Sequence, residues 1–216
     1  MSSPDHLQTI TLLVAVSALP LLVVMLTPFT KLSIVLLLLR SALGLQQVPG
    51  NLTISAVALA GSLVVMAPVF GQVAEALDLE QRLQTQAPPP TLGELREAFE
   101  TPLREFIGAH APPAEAAFVR DAIARHDPDA EIPPNDALSV LVPAFVLGEI
   151  SAGIRIGVVL YIVLLVVDLV VANILMALGM VMLSPATLAI PLKLLVLVAS
   201  DGLSRLMHSL ILGYLP

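Results

Sequence analysis

The chain has 216 residues, of which 57% are hydrophobic and only 12% are charged, and its formal net charge is −7. Soluble domains carry about 25% charged residues, so this composition excludes an ordinary soluble domain and predicts an all-α integral membrane protein. The chain has no cysteine, which excludes disulfides and thiolate metal sites, and its four histidines are scattered. We therefore expect neither a metal nor a cofactor.

The first predicted element is a hairpin built from two apolar runs, residues 9–39 and 52–74. About 20 helical residues cross a bilayer core of roughly 30 Å, and both runs reach that length. Pro68 is expected to kink the second run, and the segment 41–51 between the runs is typical of a turn. The residues that interrupt the first run are Pro20, Pro28 and Lys31. We therefore predict a first transmembrane helical hairpin at residues 9–77.

The next segment, residues 78–136, is acidic. It holds twelve acidic residues and five arginines, so its net charge of −7 equals that of the whole chain. We expect it to form an insert outside the membrane. Basic residues in short loops favour the cytoplasmic side, so Arg40 beside the turn places that turn in the cytoplasm. An odd number of crossings then places the insert on the outer side of the membrane, and four nominal crossings put both chain ends on that side too.

Short motifs predict that this insert is helical. Thr91-x-x-Glu94 is a capping box that opens a helix through Phe99. Thr101-Pro102 and Pro113 are expected to start two further helices, because proline is favoured at the first helical position. Asp127-Pro128 is expected to end the last of them. Two roles remain open for the insert, a solvated spacer and a docking surface for partners.

The third apolar run, residues 137–183, is too long for one straight crossing. It corresponds to about 70 Å of helix at 1.5 Å per residue, more than twice the bilayer core. We therefore expect a broken helix or a re-entrant hairpin. The residues that offer places to bend are Gly148, Gly153, Gly157 and Gly179. With a fourth run, 186–215, the residues 137–216 are predicted to form a second, kinked transmembrane hairpin with a methionine-rich loop.

The spacing Gly153-x-x-x-Gly157 has a second implication besides bending. Small residues at this spacing let two helices approach closely in lipid. The same spacing is common by chance, so it does not by itself predict an oligomer.

Charged residues within the apolar runs are candidate site residues, since each charge at mid-span costs about 2.5–3.5 kcal/mol. They are Lys31, Glu149, Arg155, Asp168, Lys193, Asp201 and Arg205. At 100° per residue, the three on the third run share no common stripe, which disfavours a polar channel along one helix. Three hypotheses remain: packing pairs between helices or subunits, a proton or ion relay, and the wall of a water-lined conduit.

The last helix is expected to bring three of these charges together. Asp201 and Arg205 are four residues apart, a spacing that places side chains side by side on a helix. Lys193 lies about 80° away on the helical wheel. We therefore predict that the three lie near one another.

No catalytic motif accompanies these residues. The chain lacks HExxH, GxSxG, GxxxxGK[ST] and GxGxxG. Asp168 and Asp201 stand in the contexts LLVVDLVVAN and VASDGLSR, which lack the GxGD pattern of membrane aspartyl proteases. We therefore predict that the protein is not an enzyme.

The segment MALGMVMLSP, residues 176–185, gathers three of the chain's seven methionines where a helix is expected to end. Gly179 lets the chain turn, and Pro185 cannot continue a helix and disfavours helical geometry at the residue before it. Residues 180–182 are therefore expected on an irregular segment, with Gly179 and Pro185 as its hinges. Methionine also serves as adaptable core filling, and that role remains open here.

Two long stretches carry a resemblance to a known family. The first is TPFTKLSIVLLLLRSALGLQQVPGN, residues 27–51, which resembles the first-hairpin signature of the FliP/SctR family. These are the export-gate subunits of flagellar and virulence type III secretion systems. Residues 141–202 are similar to the family's second signature, through its Leu-Ser-Pro and Pro-Leu-Lys-Leu-Leu steps. Two departures are Val181, where the family has a methionine, and Leu203, where it has a tryptophan.

The amino end separates the two branches of this family. Flagellar members resemble secreted precursors with a cleavable signal, whereas MSSPDHLQTI has no Lys or Arg to form a positive n-region. The sequence therefore favours the injectisome SctR branch over flagellar FliP.

The resemblance implies an assembly in the bacterial inner membrane. Family members form a pentameric ring that joins SctS/FliQ-like and SctT/FliR-like subunits, and SctU/FlhB-like and SctV/FlhA-like proteins complete the gate. Unfolded secreted proteins pass through its centre, lipid surrounds it, and nucleic acid is not a partner. The ring is implied to sit partly above the bilayer plane. An alternative from another class is a self-contained oligomeric ion or small-solute channel or transporter.

The resemblance also implies a role for the methionine segment. Repeated around a pentamer, it would form a ring of flexible, unbranched thioethers that seals the closed gate and deforms around passing chains. The residues assigned to this gasket are Met176, Met180, Val181 and Met182.

Overall fold

The computed structural model describes residue 17 and residues 20–85, 88–126, 133–180 and 182–215. Every regular element in these residues is an α-helix, which confirms the predicted all-α fold class. In chain order the helices are α1 Pro20–Leu26, α2 Phe29–Ala42, α3 Asn51–Ala76, α4 Leu79–Thr85, α5 Leu92–His110, α6 Pro113–His126, α7 Leu138–Ala177, α8 Pro185–Ala199 and α9 Gly202–Leu212.

Two of the described helices, α3 and α7, are each long and apolar enough to cross a membrane. Two further spans are possible by length and composition if each of two bent pairs counts as one. The pair α1 and α2 is bent by 86°, and the pair α8 and α9 by 59°. The four apolar runs of the sequence therefore correspond to two continuous helices and two bent pairs.

The bend between α1 and α2 lies where proline was expected to interrupt the first run. Pro28 has no amide hydrogen to continue the helical hydrogen bonds. The side chain of Thr27 makes hydrogen bonds to the backbone on both sides of this break. The Thr27 hydroxyl donates to the carbonyl oxygen of Val23 at 2.6 Å and accepts a hydrogen bond from the amide of Phe29 at 3.4 Å. The predicted interruption at Pro28 is confirmed.

Helix α7 contradicts the prediction of a broken third run, because it continues for 40 residues, about 60 Å, through three of the four glycines. A helical glycine costs about 1 kcal/mol relative to alanine, but it leaves the hydrogen-bond ladder intact. At two positions the missing side chain makes room for α2. A Cβ atom on Gly153 would lie 3.2 Å from Ile34, and one on Gly157 would lie 2.2 Å from Leu38.

Helix α2 runs parallel to the first half of α7 and forms the most extensive helix pairing of the chain. The second half of α7 is covered instead by α8, which returns antiparallel, so that Val171 and Leu175 bury Ala189 between them. Helix α9 packs on α2 and α3 through Leu210, which joins Leu32 and Val35 in one buried cluster. The core is therefore a small helical bundle around α2.

The insert is docked on this bundle by apolar side chains. Ile107 of α5 is fully buried against Leu141 and Phe145 of α7. Val119 of α6 packs against Val140 at the start of α7. The insert is therefore packed against the core and does not hang from it as a free spacer.

Two local predictions for the insert have opposite outcomes. The capping box is confirmed, since the Thr91 hydroxyl accepts from the amide of Glu94 and the Glu94 carboxylate accepts from the amide of Thr91 at 2.7 Å. That backbone hydrogen bond, with one from Arg82, lowers the pKa of Glu94 to about 2. The predicted new helix at Thr101-Pro102 is wrong, because α5 continues through Pro102 to His110.

The cause of the continuous α5 is tertiary packing. An internal proline costs about 3 kcal/mol in a helix, but the apolar contacts of Ala98 and Ile107 on either side of Pro102 hold α5 against α3 and α7. Helix α6 begins at Pro113 as predicted. Its expected end at Asp127-Pro128 lies outside the described residues.

Candidate functional site

A largely buried polar cluster lies where α2, α5, α7 and the residues after α9 meet. We call it the Glu149 cluster. Its members are Lys31, His110, Glu149 and Tyr214. Lys31 Nζ lies 3.5 Å from Glu149 Oε1, and these side chains are only 13% and 6% exposed. The Tyr214 hydroxyl donates to Glu149 Oε2. Lys31 Nζ also sits 3.7 Å above the centre of the Tyr214 ring. The face of the Tyr214 ring thus covers the ammonium group of the ion pair.

His110 connects this cluster to the insert. Its two ring nitrogens face carbonyl oxygens, Nδ1 that of Phe106 at 2.7 Å and Nε2 that of Tyr214 at 3.3 Å. The rings of Phe106 and Tyr214 are stacked with their centroids 6.3 Å apart. Sequence analysis missed both His110 and Tyr214. Tyr214 could have been found from the sequence, because it is a tyrosine in the apolar last run and a buried phenol usually needs a hydrogen-bond partner.

A second charged cluster surrounds the buried Lys193; we call it the Lys193 cluster, and it consists of Lys193, Asp168 and the carbonyl oxygen of Ala42. Lys193 Nζ donates to Asp168 Oδ2 at 2.6 Å and to the Ala42 oxygen at 2.8 Å. The lysine side chain is 4% exposed and the aspartate 39%. Because Ala42 is the last residue of α2, the ammonium also compensates the negative end of that helix dipole.

The two clusters lie at different levels of the bundle. Glu149 and Asp168 are about 28 Å apart along α7 at 1.5 Å per residue, close to the thickness of a bilayer core. Each cluster contains an ion pair between two different helices. The Glu149 cluster joins α2 to α7, and the Lys193 cluster joins α7 to α8 and to the end of α2. They do not form a continuous polar path along α7.

The other three charged candidates are exposed and form no side-chain hydrogen bond or ion pair with a described residue: Arg155, Asp201 and Arg205. The prediction that Lys193, Asp201 and Arg205 lie together is wrong. Lys193 pairs with Asp168 on α7, and the chain bends between α8 and α9 at Asp201, whose backbone is left-handed with φ of 50°. Four residues of separation place side chains together only on a continuous helix.

The methionine segment forms the connection between α7 and α8. Helix α7 ends in a Schellman motif, in which the amide of Met180 donates to the Leu175 oxygen at 2.9 Å and that of Gly179 to the Met176 oxygen at 3.0 Å. Gly179 supplies the required positive φ, 72°. Pro185 is the first residue of α8. The structure thus places Gly179 and Pro185 at the two ends of a short irregular connection.

The methionine side chains of this connection point away from the chain's own core. Met182 is 97% exposed, and Met176 and Met180 are also exposed. Val181 lies outside the described residues. The loop therefore presents flexible apolar groups that other molecules can contact. Among the described residues no group of His, Cys, Asp and Glu could hold a metal ion.

Comparison with known proteins gives a match over nearly the whole chain. The model of the FliP family matches residues 12–210. The chain is 38% identical to the hypersensitivity response secretion protein HrcR of Ralstonia nicotianae, over 99% of this chain and 100% of that protein. It is 37% identical to the Yop proteins translocation protein R of Yersinia pestis, over 98% and 97% of the two chains. It is 38% identical to the virulence protein YscR of Salmonella typhimurium, over 94% of each.

A family model that covers most of a chain, together with relatives of this identity along their full length, establishes common descent and a common fold. The relatives named HrcR and YscR are secretion and virulence proteins by name. The chain therefore belongs to the FliP family, in its injectisome SctR branch.

Proposed function

We propose that this chain is a core subunit of the export gate of a type III secretion system in the bacterial inner membrane. The observation that carries the proposal is the full-length similarity to relatives whose names describe secretion and translocation. The two helices that could cross a membrane agree with that location. In this role the chain builds a conduit for unfolded proteins and performs no catalysis of its own.

The gate requires more than one chain, and the exposed surface of this one supports such an assembly. Helices α3 and α7 expose long apolar faces, and contiguous apolar patches on a protein mark contacts with lipid or other proteins. Exposed examples are Leu59, Leu63, Val64, Val158, Ile162 and Val166. We infer that four further copies, in a pentamer, and the SctS/FliQ-like and SctT/FliR-like subunits cover these faces. SctU/FlhB-like and SctV/FlhA-like proteins complete the gate.

Within this assembly we assign the methionine loop to the closure of the conduit. Its methionine side chains are exposed in the single chain, so they can contact one another at the centre of a ring. Methionine is unbranched and has three rotatable bonds, which lets it fill irregular space and yield to different passing segments. Irregular backbone at membrane depth is tolerated where it lines a cavity. The four gasket residues are Met176, Met180, Val181 and Met182.

Replacing Met180 and Met182 together with alanine is expected to leave assembly intact and to make the closed gate leak small ions. Met182 is almost fully exposed and Met180 is 42% exposed, so their truncation removes little packing within the chain. The measurement is the rate at which the membrane potential collapses in bacteria carrying the complex. Leu195→Ala serves as a matched control, since Leu195 is an exposed apolar residue of α8 outside the loop.

Isolation of the same complexes through a tag, in gentle detergent, separates two kinds of failure. A tight membrane at normal complex abundance contradicts the gasket assignment alone. If the chain conducts ions as a homo-oligomer and no small hydrophobic subunits are isolated with it, the export-gate function itself is contradicted. That result would favour a self-contained channel.

We further propose that the insert, residues 78–136, faces the periplasm. Helix α3 begins beside Arg40, which bonds to Asn51, and ends beside α5 of the insert, so turn and insert lie at opposite ends of one candidate span. Arg40 favours the cytoplasm for the turn. Because the chain has no cysteine, a single cysteine in α6 is expected to react with an impermeant thiol reagent added from the periplasmic side. Reaction only from the cytoplasmic side contradicts this orientation.

A further inference from the structure

A groove lies between the turn that connects α2 to α3 and the bend that connects α8 to α9. We call it the Arg40 groove. Its volume is about 220 Å³, and every lining atom open to it is apolar. The lining includes side chains from four helices: Leu36, Leu43, Val57, Leu197 and Leu203. In water such a groove would be an unfavourable surface, but an apolar chain of suitable width fills it favourably.

Arg40 gives this groove a charged rim. Its aliphatic stem lines the groove, while its guanidinium reaches out to the turn. Nη1 donates to the Pro49 oxygen at 3.0 Å and to Asn51 Oδ1 at 2.8 Å. Those two bonds hold the guanidinium in place, and its Nε and Nη2 groups have no partner among the described residues. An arginine held in this way can bind a phosphate through the N–H groups that remain.

We propose that the Arg40 groove binds an anionic phospholipid, with one acyl chain in the groove and the phosphate on the Arg40 guanidinium. The apolar groove accepts an apolar chain, and the Arg40 guanidinium accepts an anion. A phospholipid carries both in one molecule. Arginine at the end of an apolar helix lies at the depth of the lipid headgroups, where basic pockets between helices bind anionic lipids.

The charged rim favours a phospholipid over an apolar helix from another protein, because the remaining N–H groups of Arg40 call for an anion beside the apolar groove. The charge distribution also favours a local site. The net charge of −7 lies in the insert, at the opposite end of α3 from Arg40, so the chain as a whole does not attract anionic lipid.

The absence of tryptophan from the chain permits a direct test by fluorescence. The probe variant is Leu203→Trp, which places an indole at the edge of the groove. The control is Leu195→Trp, at an exposed position of α8 that does not line the groove. Each full-length variant is reconstituted in vesicles of equal parts phosphatidylglycerol and phosphatidylcholine. Either the first or the second lipid carries bromine on its acyl chains as the quencher.

For Leu203→Trp we expect brominated phosphatidylglycerol to quench with about fivefold higher apparent affinity than brominated phosphatidylcholine, since one arginine near anionic lipid contributes about 1 kcal/mol. For Leu195→Trp the two lipids are expected to quench equally. Arg40→Gln in the Leu203→Trp background is expected to abolish the preference, and Arg40→Lys to retain most of it.

A salt titration repeats the test without changing Arg40, in case Arg40→Gln does not fold. Raising the ionic strength from about 0.01 M to 1 M shortens the screening length from about 30 Å to 3 Å, so the preference should decrease strongly. Three results overturn the proposal: equal quenching by both lipids at Leu203→Trp, a preference that survives Arg40→Gln, or no quenching by either. The last would indicate that a protein segment fills the groove. None of these results bears on the export-gate function, which does not depend on this site.

Discussion

Replacing Glu149 with leucine is expected to destabilise the folded chain by about 3–5 kcal/mol, the usual effect of leaving one charge of a buried pair without its partner. The Lys31 ammonium would remain only 13% exposed, above the ring of Tyr214 and without an ion-pair partner among the described residues. The substitution also removes the acceptor of the Tyr214 hydroxyl. Thermal unfolding in mild detergent, followed by circular dichroism, measures the loss.

Two control variants test whether the loss of stability comes from the unpaired charge of Lys31. The double substitution Lys31→Met with Glu149→Leu removes both charges, and replacement of a buried ion pair by apolar side chains is often neutral. We therefore expect it to recover much of the stability. Arg155→Gln alters an exposed charge on the same helix and is expected to change stability by about 0.5 kcal/mol or less. If Glu149→Leu alone unfolds like the unmodified chain, the Glu149 cluster is not a stabilising contact.

Gly157→Ala is expected to cost about 1–3 kcal/mol, because the new methyl group overpacks the contact between α7 and α2. Its Cβ atom would lie 2.2 Å from Cδ1 and 2.8 Å from Cβ of Leu38. The Leu38 methyl can move aside by rotation, but the Cβ atom is fixed to the α2 backbone, so the helices must separate. The same unfolding measurement in detergent detects the change.

Gly71→Ala is the matched control for this substitution. Gly71 lies inside α3 and has nothing within 4 Å of an added Cβ atom. Both substitutions gain the same helix propensity, up to about 1 kcal/mol, so their difference isolates the steric effect at Leu38. Equal stability of the two variants would contradict a close α2–α7 contact at Gly157.

Local signals predicted the parts of the fold that depend on a few neighbouring residues. The capping box of Thr91 and Glu94, the break at Pro28 and the start of α6 at Pro113 each follow from backbone chemistry within four residues. The continuity of helices α5 and α7 depends on tertiary packing and could not be predicted in this way. The glycines of α7 and Pro102 of α5 look like breaks in the sequence, but α2, α3 and the insert supply contacts that keep both helices intact.

The candidate site was predictable as a set of residues but not as a set of partners. The cost of burying charge marked seven residues, and four of them, Lys31, Glu149, Asp168 and Lys193, form ion pairs in the structure. Which ion meets which depends on tertiary structure, since Asp168 and Lys193 are 25 residues apart and Tyr214 bonds to Glu149 across 65. Helical spacing offered Asp201 as a partner for Arg205, but Asp201 lies at the bend before α9 with a left-handed backbone, and the two side chains form no ion pair.

The continuous helix α7 is a rigid rod with a different attachment at each end. The insert packs on its first turns, and the methionine loop follows its last residue about 60 Å away. Helices α2 and α8 pack along the two halves of this helix, so a tilt would carry them with it. If α7 tilted by about 5° around the insert, its far end would move by roughly 5 Å, about the rise of one helical turn. Through α7 a change in the position of the insert would thus reach the methionine loop.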